Sequence, residues 1–454
     1  MKSLSHISSV FFLGIGGIGM SSLARYYKYH GVKVSGYDKT ETALTRDLQN
    51  EGMQVHYQDD IEKLDSNASM VIYTPAIPAD NKELNYFRNN GYQMLKRSEA
   101  LALVMEDGFN ICVAGTHGKT TTSTMVAHIL KASGYGCNAF LGGISSNYQT
   151  NFWTADNQVN VAEADEYDRS FLKLSPDIAV ITSMDADHLD IYGTEVKMQE
   201  AFADFSRRIK NDGLLIYKYD MPQSNTLTAT RKLSYDLKDD QADAYASNIT
   251  TRNGAYTFDV SVSNKILTGF ELNMGGLHNI ENMVAAVTVA VQLNISGEKI
   301  KDAVASFTGV KRRFEFVTKS PNLVIIDDYA HHPAELQSLL QGVKDLYPER
   351  KCTVVFQPHL FSRTKDHAEG FASVLSKADA LILLPIYPAR ELPVEGVSSH
   401  LILDKVTIEN KRMLEKEALI PWLSAHKPEV LVMCGAGDID VLVDPVRQAL
   451  ENIA

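Results

Sequence analysis

Phe109-Asn110-Ile111-Cys112-Val113-Ala114 is an apolar run of strand character that ends in Gly115-Thr116-His117-Gly118-Lys119-Thr120-Thr121-Thr122. Few local patterns restrict a chain as much. A strand must feed a glycine-bracketed turn, and the turn must open a helix, read here from Ser123 to Lys131. Backbone N–H groups of such a turn and of the helix start surround a phosphate chain. Lys119 adds a point charge, and the Thr120 hydroxyl is placed to reach a magnesium ion. The longer P-loop pattern needs glycine at position 113, where this chain has Val113, so the match is to the shorter form G-T-x-G-K-T. The competing reading is a plain strand-to-helix turn with a chance lysine.

Bulk properties narrow the classes. A chain of 454 residues suggests about three domains. A net charge of −12 argues against a nucleic-acid binder, which carries a basic footprint. Anionic small molecules stay possible, because loops and helix starts are locally positive inside an acidic protein. Cys112, Cys137, Cys352 and Cys434 lie far apart, mostly in apolar runs. They read as buried thiols in a reducing cytoplasm rather than a disulfide framework. The N-terminal apolar run is short and flows into a glycine turn, unlike a signal peptide. No run approaches the ~18 apolar residues of a membrane span.

Alternating segments predict an α/β fold of three domains. Val10–Leu13, Val32–Tyr37 and Met70–Tyr73 read as strands of a parallel sheet, with a helix from Ser21 to Tyr29. After a break at Glu106-Asp107-Gly108, a second sheet is read from the P-loop strand, Val159–Ala162, Ile178–Thr182 and Leu214–Tyr217. Residues 220–274 look β-rich, with a hairpin turn at Asn253-Gly254, and a helix follows from Asn282 to Leu293. Leu323–Ile326, Thr353–Phe356, Ala380–Leu384 and Val430–Met433 give a third unit. The expected division is 1–107, a Rossmann-like domain; 108–310, a P-loop ATPase-like domain with a mostly parallel sheet; and 311–454, a second Rossmann-like domain.

Several clusters fall at strand ends, where open α/β sheets bind ligands. Gly14-x-Gly16-x-x-Gly19, with Asp38 at the end of the next strand, matches a dinucleotide fingerprint. The same N–H groups suit any nucleotide diphosphate. Glu163-Ala164-Asp165-Glu166-Tyr167-Asp168 places four carboxylates in six residues, which repel unless cations are near. Beside a phosphate loop, at least one is expected on magnesium. Asp185-Ala186-Asp187-His188 ends the next strand, so His188 is expected near metal. Asp327-Asp328-Tyr329-Ala330-His331-His332-Pro333 and Gln357-Pro358-His359-Leu360-Phe361-Ser362-Arg363 end strands of the third unit. Lys311-Arg312-Arg313 lies at the third boundary. It serves either solubility or nucleotide contact on domain closure.

Taken in order, GIGGIGMSSLA (14–24), YTPAI (73–77), GTHGKTTT (115–122), EADEYD (163–168), DADHLD (185–190), GLHNIEN (276–282), GVKRRFE (309–315), DDYAHHP (327–333), QPHLFSRT (357–364) and GAGDI (435–439) resemble the Mur ligase family over nearly the whole chain. The resemblance implies an ATP- and Mg²⁺-dependent acid–amino-acid ligase of peptidoglycan precursor synthesis. It would join L-alanine to the lactyl carboxylate of UDP-N-acetylmuramate through an acyl phosphate. By resemblance, Gly14, Gly16, Gly17, Ile18, Gly19, Met20, Ser21, Asp38, Thr74, Pro75, Ala76 and Tyr329 meet the UDP substrate. Gly115, Thr116, His117, Gly118, Lys119, Thr120, Thr121, His278, Asn279, Asn282, Arg313 and Asp328 meet ATP. Thr120, Glu163 and His188 hold metal, and Lys119, His188, His331, His359 and Arg363 act in catalysis.

The sequence departs from family patterns at Ser183-Met184-Asp185 and at Leu360, where related ligases carry Asn-x-Glu and Arg. Ala203 stands where several members carry a carbamylated lysine. Tyr167 is shared with the family's recycling ligase, which attaches a murein tripeptide to the same sugar nucleotide. That ligase is the first alternative; the glycine turn GIGGIGMSS favours the L-alanine activity. From other classes, an NAD-dependent oxidoreductase with an ATPase domain and a regulatory ATP-hydrolysing module also remain. A monomer or weak homodimer is expected, without nucleic acid.

Overall fold

The computed structural model describes residues 7–186, 189–389 and 391–453, with backbone alone for 189 and 190. Its described residues form three sheets in chain order. The first has five strands, all parallel, in the spatial order Gln54–His56, Lys33–Tyr37, Ser9–Leu13, Met70–Tyr73, Met94–Lys96. Ser9–Leu13 is buried throughout, as parallel sheets covered by helices on both faces require.

The second sheet has ten strands. Phe109–Ala114 lies at its centre, between Ile178–Ile181 and Val159–Glu163, parallel to both. Both edges are antiparallel: Thr150–Trp153 against Asn138–Ser145 on one, and Ala244–Arg252, Ala255–Val262 and Lys265–Leu272 on the other. The first of its turns has Asn253 at φ 53° and Gly254 at φ 71°, the two left-handed residues of a tight hairpin. The third sheet, of six strands, is parallel except for its first strand, Glu315–Lys319.

Two local readings need correction. The helix expected from Asn282 begins at Leu277, after Gly276 at φ 89°, so His278, Asn279 and Asn282 all lie in its first turns. Asn138–Ser145 and Thr150–Trp153 are strands that composition hid, because Gly142 and Gly143 interrupt the first. Their lack of side chains has a cause. A Cβ on Gly142 would lie 2.2 Å from Glu163 Oε2, and one on Gly143 would lie 2.9 Å from Thr120 Cγ2.

The apolar core is shared between sheets. One cluster joins the helix Ile18–Tyr29 of the first unit to the second sheet. There Tyr26 packs on Phe140 and Phe152, with ring centroids 5.6 and 6.1 Å away. Beside them Arg25 is buried, holding Glu51 through Nε and Nη2 and donating from Nη1 to Asn151 Oδ1 at 2.5 Å. A second cluster runs from the helix Leu277–Gln292 into the third sheet. All four cysteines are free thiols. No helix among the described residues is long and apolar enough to cross a membrane.

Candidate active site

The strand Phe109–Ala114 delivers the chain into Gly115 at φ 137°, a conformation that excludes side chains. A Cβ there would meet Thr182 Oγ1 at 2.1 Å and Ser183 N at 2.8 Å. The neighbouring strand end closes the loop. Thr182 Oγ1 donates to His117 O at 2.5 Å and approaches Ala114 O at 3.1 Å. Ser183 Oγ accepts from His117 N and pairs with Thr116 Oγ1, each at 2.8 Å. Sequence reasoning overlooked both residues; Ser183 showed only as a departure from the family pattern. Gly118, at φ 80°, starts the helix Lys119–Ala132 with no side-chain cap. Uncapped N–H groups at a helix start form an anion site. Asn282 lies against Gly118, its Oδ1 2.9 Å from where a Cβ would stand, and is bonded to Asn279. His278 is exposed in the first turn of its own helix, Leu277–Gln292, and Thr121 is buried behind the loop.

The acidic run does not act as one cluster. Each carboxylate finds a separate cation or donor. Glu163 packs beneath Thr120, whose hydroxyl, together with Lys119, holds its carboxyl down against a larger upward push from burial. Its Oε2 is buried with no hydrogen-bond partner among the described residues. A buried carboxylate oxygen beside a threonine hydroxyl is a fitting donor set for a hard, oxygen-seeking cation. Asp165 pairs with Arg97 at 2.8 Å, Glu166 with Lys119 at 2.8 Å and Asp168 with Lys96 at 3.2 Å. The expected repulsion is therefore met by three cations, two of them from the first unit. His188 lies outside the described residues. His117, exposed, stands 3.9 Å from Asp185.

The first glycine turn faces the same side. Gly14, at φ 85°, donates to Tyr37 O, and a Cβ on it would lie 2.6 Å from Thr74 Cγ2. Asp38 Oδ2 accepts from Gly16 N at 2.8 Å, so this carboxylate shapes the turn itself. The helix Ile18–Tyr29 starts at Gly17 without a cap. Met20 and Ser21 are buried, and Ser21 Oγ is bonded to Ile18 O and Asn151 Nδ2. Pro75 and Ala76 are exposed beside the turn. Arg97 lies across Gly19, its Nη1 2.4 Å from a would-be Cβ.

The third unit contributes one more group of residues. Arg312, at φ 61°, is turned inward: Nε stands 3.6 Å from Asp327 and Nη1 3.5 Å from Asp440, and its guanidinium covers the Tyr329 ring at 5.1 Å. Arg313 is exposed and faces the other way, near enough to Glu163 and Asp328 to favour their charged forms. The basic triplet is thus split between a structural arginine and a site-facing one. Asp328 accepts from Phe314 N and Ala330 N, each at 2.7 Å, yet burial pushes its carboxyl up to about 6. Burial and neighbouring acids, against Arg312, push Asp327 up to about 7. His331 and His359 face each other with ring centroids 6.0 Å apart. His331 Nδ1 meets Tyr329 O at 2.9 Å, and His359 Nδ1 meets Arg363 Nη1 at 3.2 Å. Burial, then Arg363 and His331, lowers the His359 pKa. Leu360 starts a short helix at φ 69°, an unusual conformation for leucine.

A phosphate loop, a carboxylate set beneath it and an arginine from a third unit are the kinds of group that phosphoryl transfer needs. Comparison with known proteins finds one family along the whole chain. Residues 9–108 match the family model described as Mur ligase family, catalytic domain; 113–290 match the Mur ligase middle domain; and 312–437 match the Mur ligase, glutamate ligase domain. The chain belongs to the Mur ligase family. A relative from Christiangramia forsetii named UDP-N-acetylmuramate–L-alanine ligase is 45% identical over 99% of both chains. One of the same name from Parabacteroides distasonis is 46% identical over 98% of both. Among solved Mur ligases, the UDP-N-acetylmuramate-alanine ligase of Thermotoga maritima superposes with a TM-score of 0.85 at 28% identity, covering 98% of this chain and 99% of that one. A murein peptide ligase from Psychrobacter arcticus shares the fold at a TM-score of 0.68 and 24% identity, with 98% and 99% covered.

Proposed function

We propose that this Mur ligase joins L-alanine to the lactyl carboxylate of UDP-N-acetylmuramate, using ATP, in the synthesis of peptidoglycan precursors. The observation that carries the reading is the full-length identity of 45–46% to relatives of that name. In this reading residues 1–107 bind the UDP substrate, 108–310 bind ATP, and 311–454 bring the amino acid and close the site. The alternative of an NAD-dependent oxidoreductase rested only on the first glycine turn and Asp38, and Asp38 is engaged by that turn.

The uncapped helix starts at Gly17 and Gly118 would take the diphosphate and the triphosphate. Thr120 and Glu163 would hold a magnesium ion, which when bound offsets phosphate charge. A lactyl carboxylate oxygen attacks the terminal phosphorus, the bond to ADP breaks, and an acyl phosphate forms. Phosphoryl transfer of this kind is mainly a problem of position and charge. Lys119 offsets the charge where two anions meet, and Arg313 adds a second cation from the third unit. The amine of L-alanine then attacks the acyl carbon, gives up a proton, and inorganic phosphate leaves.

Neighbours favour His331 over His359 for the proton. A carbonyl only accepts, so His331 Nδ1 carries the hydrogen toward Tyr329 O, leaving Nε2 with a free lone pair. An arginine only donates, so His359 Nδ1 accepts and its Nε2 bears the hydrogen. His331 is therefore the base and His359 a donor to the substrate. The test is ADP release with UDP-N-acetylmuramate and, in separate assays, L-alanine, L-serine, glycine and the murein tripeptide. Release with L-alanine supports the reading. Release with the tripeptide alone would reassign the protein to recycling.

A further inference from the structure

Glu166 has no role in the steps above, yet its side chain is fully buried at the base of the phosphate loop. Its Oε1 lies 2.8 Å from Lys119 Nζ, which also donates to Gly115 O at 2.6 Å. An ammonium has three protons. Two are directed by these acceptors, so the third has one remaining direction.

The backbone carrying Glu166 is held unusually firmly. Tyr192 Oη donates to Glu166 O at 2.6 Å. Asp165 and Asp168, on either side, are paired with Arg97 and Lys96 of the first unit. Asp168 and Arg169 then adopt left-handed conformations, at φ 53° and 55°. Such strain persists only where surroundings over-determine it. A carboxylate on so fixed a segment can set the direction of a flexible lysine, whose tip otherwise has several rotamers.

We infer that Glu166 is a positioning residue for phosphoryl transfer, fixing the Lys119 ammonium so that its free proton meets the transferring phosphate. This rests on the proposed ligase reading. The ground-state triphosphate has many other donors in the loop, whereas the charge on the transferring phosphate is met by few groups, of which Lys119 is one. Loss of Glu166 is therefore expected in kcat and not in the KM for ATP.

The experiment is steady-state ADP release by Glu166→Gln and Glu166→Asp, with melting temperatures and fluorescent ADP affinity measured on the same preparations. Gln keeps the shape, so it folds in the same space, but its neutral amide holds the ammonium more weakly than the charged pair does. The expected result for E166Q is a kcat at least tenfold lower, with the KM for ATP and the ADP affinity within twofold of wild type. E166D, one methylene too short to reach Lys119, loses more than E166Q. Wild-type kcat in E166Q, or a raised KM at unchanged kcat, overturns the inference. So does a loss that tracks a falling melting temperature in both variants. A wild-type protein that releases no ADP under any acceptor would instead remove the ligase reading, and this inference with it.

Discussion

Arg97 Nη2 and Asp165 Oδ2 lie 2.8 Å apart, joining the first unit to the acidic segment of the second. Because both side chains are about 30% exposed, the pair itself is worth less than about 1 kcal/mol. Its geometric effect is larger, since Arg97 covers Gly19. Alanine in a helix is favoured over glycine by about 1 kcal/mol. Gly19→Ala is therefore expected to be neutral or destabilising in the wild type, where it must displace Arg97. In an R97A background it should stabilise by about 0.5–1 kcal/mol. Urea unfolding of the four proteins measures the difference; additive effects would contradict the contact.

Lys119→Ala is expected to abolish ADP release while leaving affinity for UDP-N-acetylmuramate nearly intact, because among the described residues Lys119 is hydrogen-bonded within the second unit, to Gly115 and Glu166. Calorimetric titration checks the second half. Loss of UDP-substrate binding by a folded K119A protein would contradict the assignment of the two loops.

Gly115→Ala must move backbone, since the blocking atoms include Ser183 N at 2.8 Å and Thr182 N at 3.0 Å as well as the Thr182 hydroxyl. Strain of this kind costs on the order of 1–3 kcal/mol. The expected outcome is a lower melting temperature and loss of ATP affinity. Adding Thr182→Ala should not restore either, and a full rescue would show that only the hydroxyl stood in the way.

The two histidines should separate in their kinetics. His331→Ala is expected to lower kcat by about 10²–10⁴-fold. His359→Ala should raise the KM for substrate more than it lowers kcat. If the larger loss of kcat falls on H359A, the tautomers drawn from Tyr329 and Arg363 are wrong.

Asp327 is raised from near 3.8 to about 7 in the folded chain. A carboxyl raised by folding holds its proton longer in the native state. Its stabilising contribution is complete below the unfolded pKa and is lost as pH rises through about 7. Wild-type stability in urea should therefore fall between pH 4 and pH 7, relative to D327N, by up to a few kcal/mol. Equal slopes for the two proteins would exclude Asp327 as the cause.

Much of this architecture was legible because apolar strands ending in glycine or acidic residues are a local pattern. The P-loop strand and helix, and the strands from Val10, Met70, Ile178 and Val430, lie close to where their residues suggest. What escaped was set by distant partners. Asn138–Ser145 is a strand despite two glycines, because Glu163 and Thr120 need the space. The acidic run shows a repulsion that needs cations and a magnesium ligand, but nothing local says that Arg97 and Lys96 arrive from another unit. Arg312 and Arg313 are adjacent and alike in sequence, and only the left-handed backbone at Arg312 sends them apart.

The aromatic seam of Tyr26, Phe140 and Phe152, with Arg25 sealed beside it, has a practical corollary. A truncated fragment holding the first sheet alone would bare a sticky face and lose the Asn151 partner of Arg25. Such a piece should precipitate or need a solubilising fusion, so that ligand-binding studies are best done on the intact polypeptide.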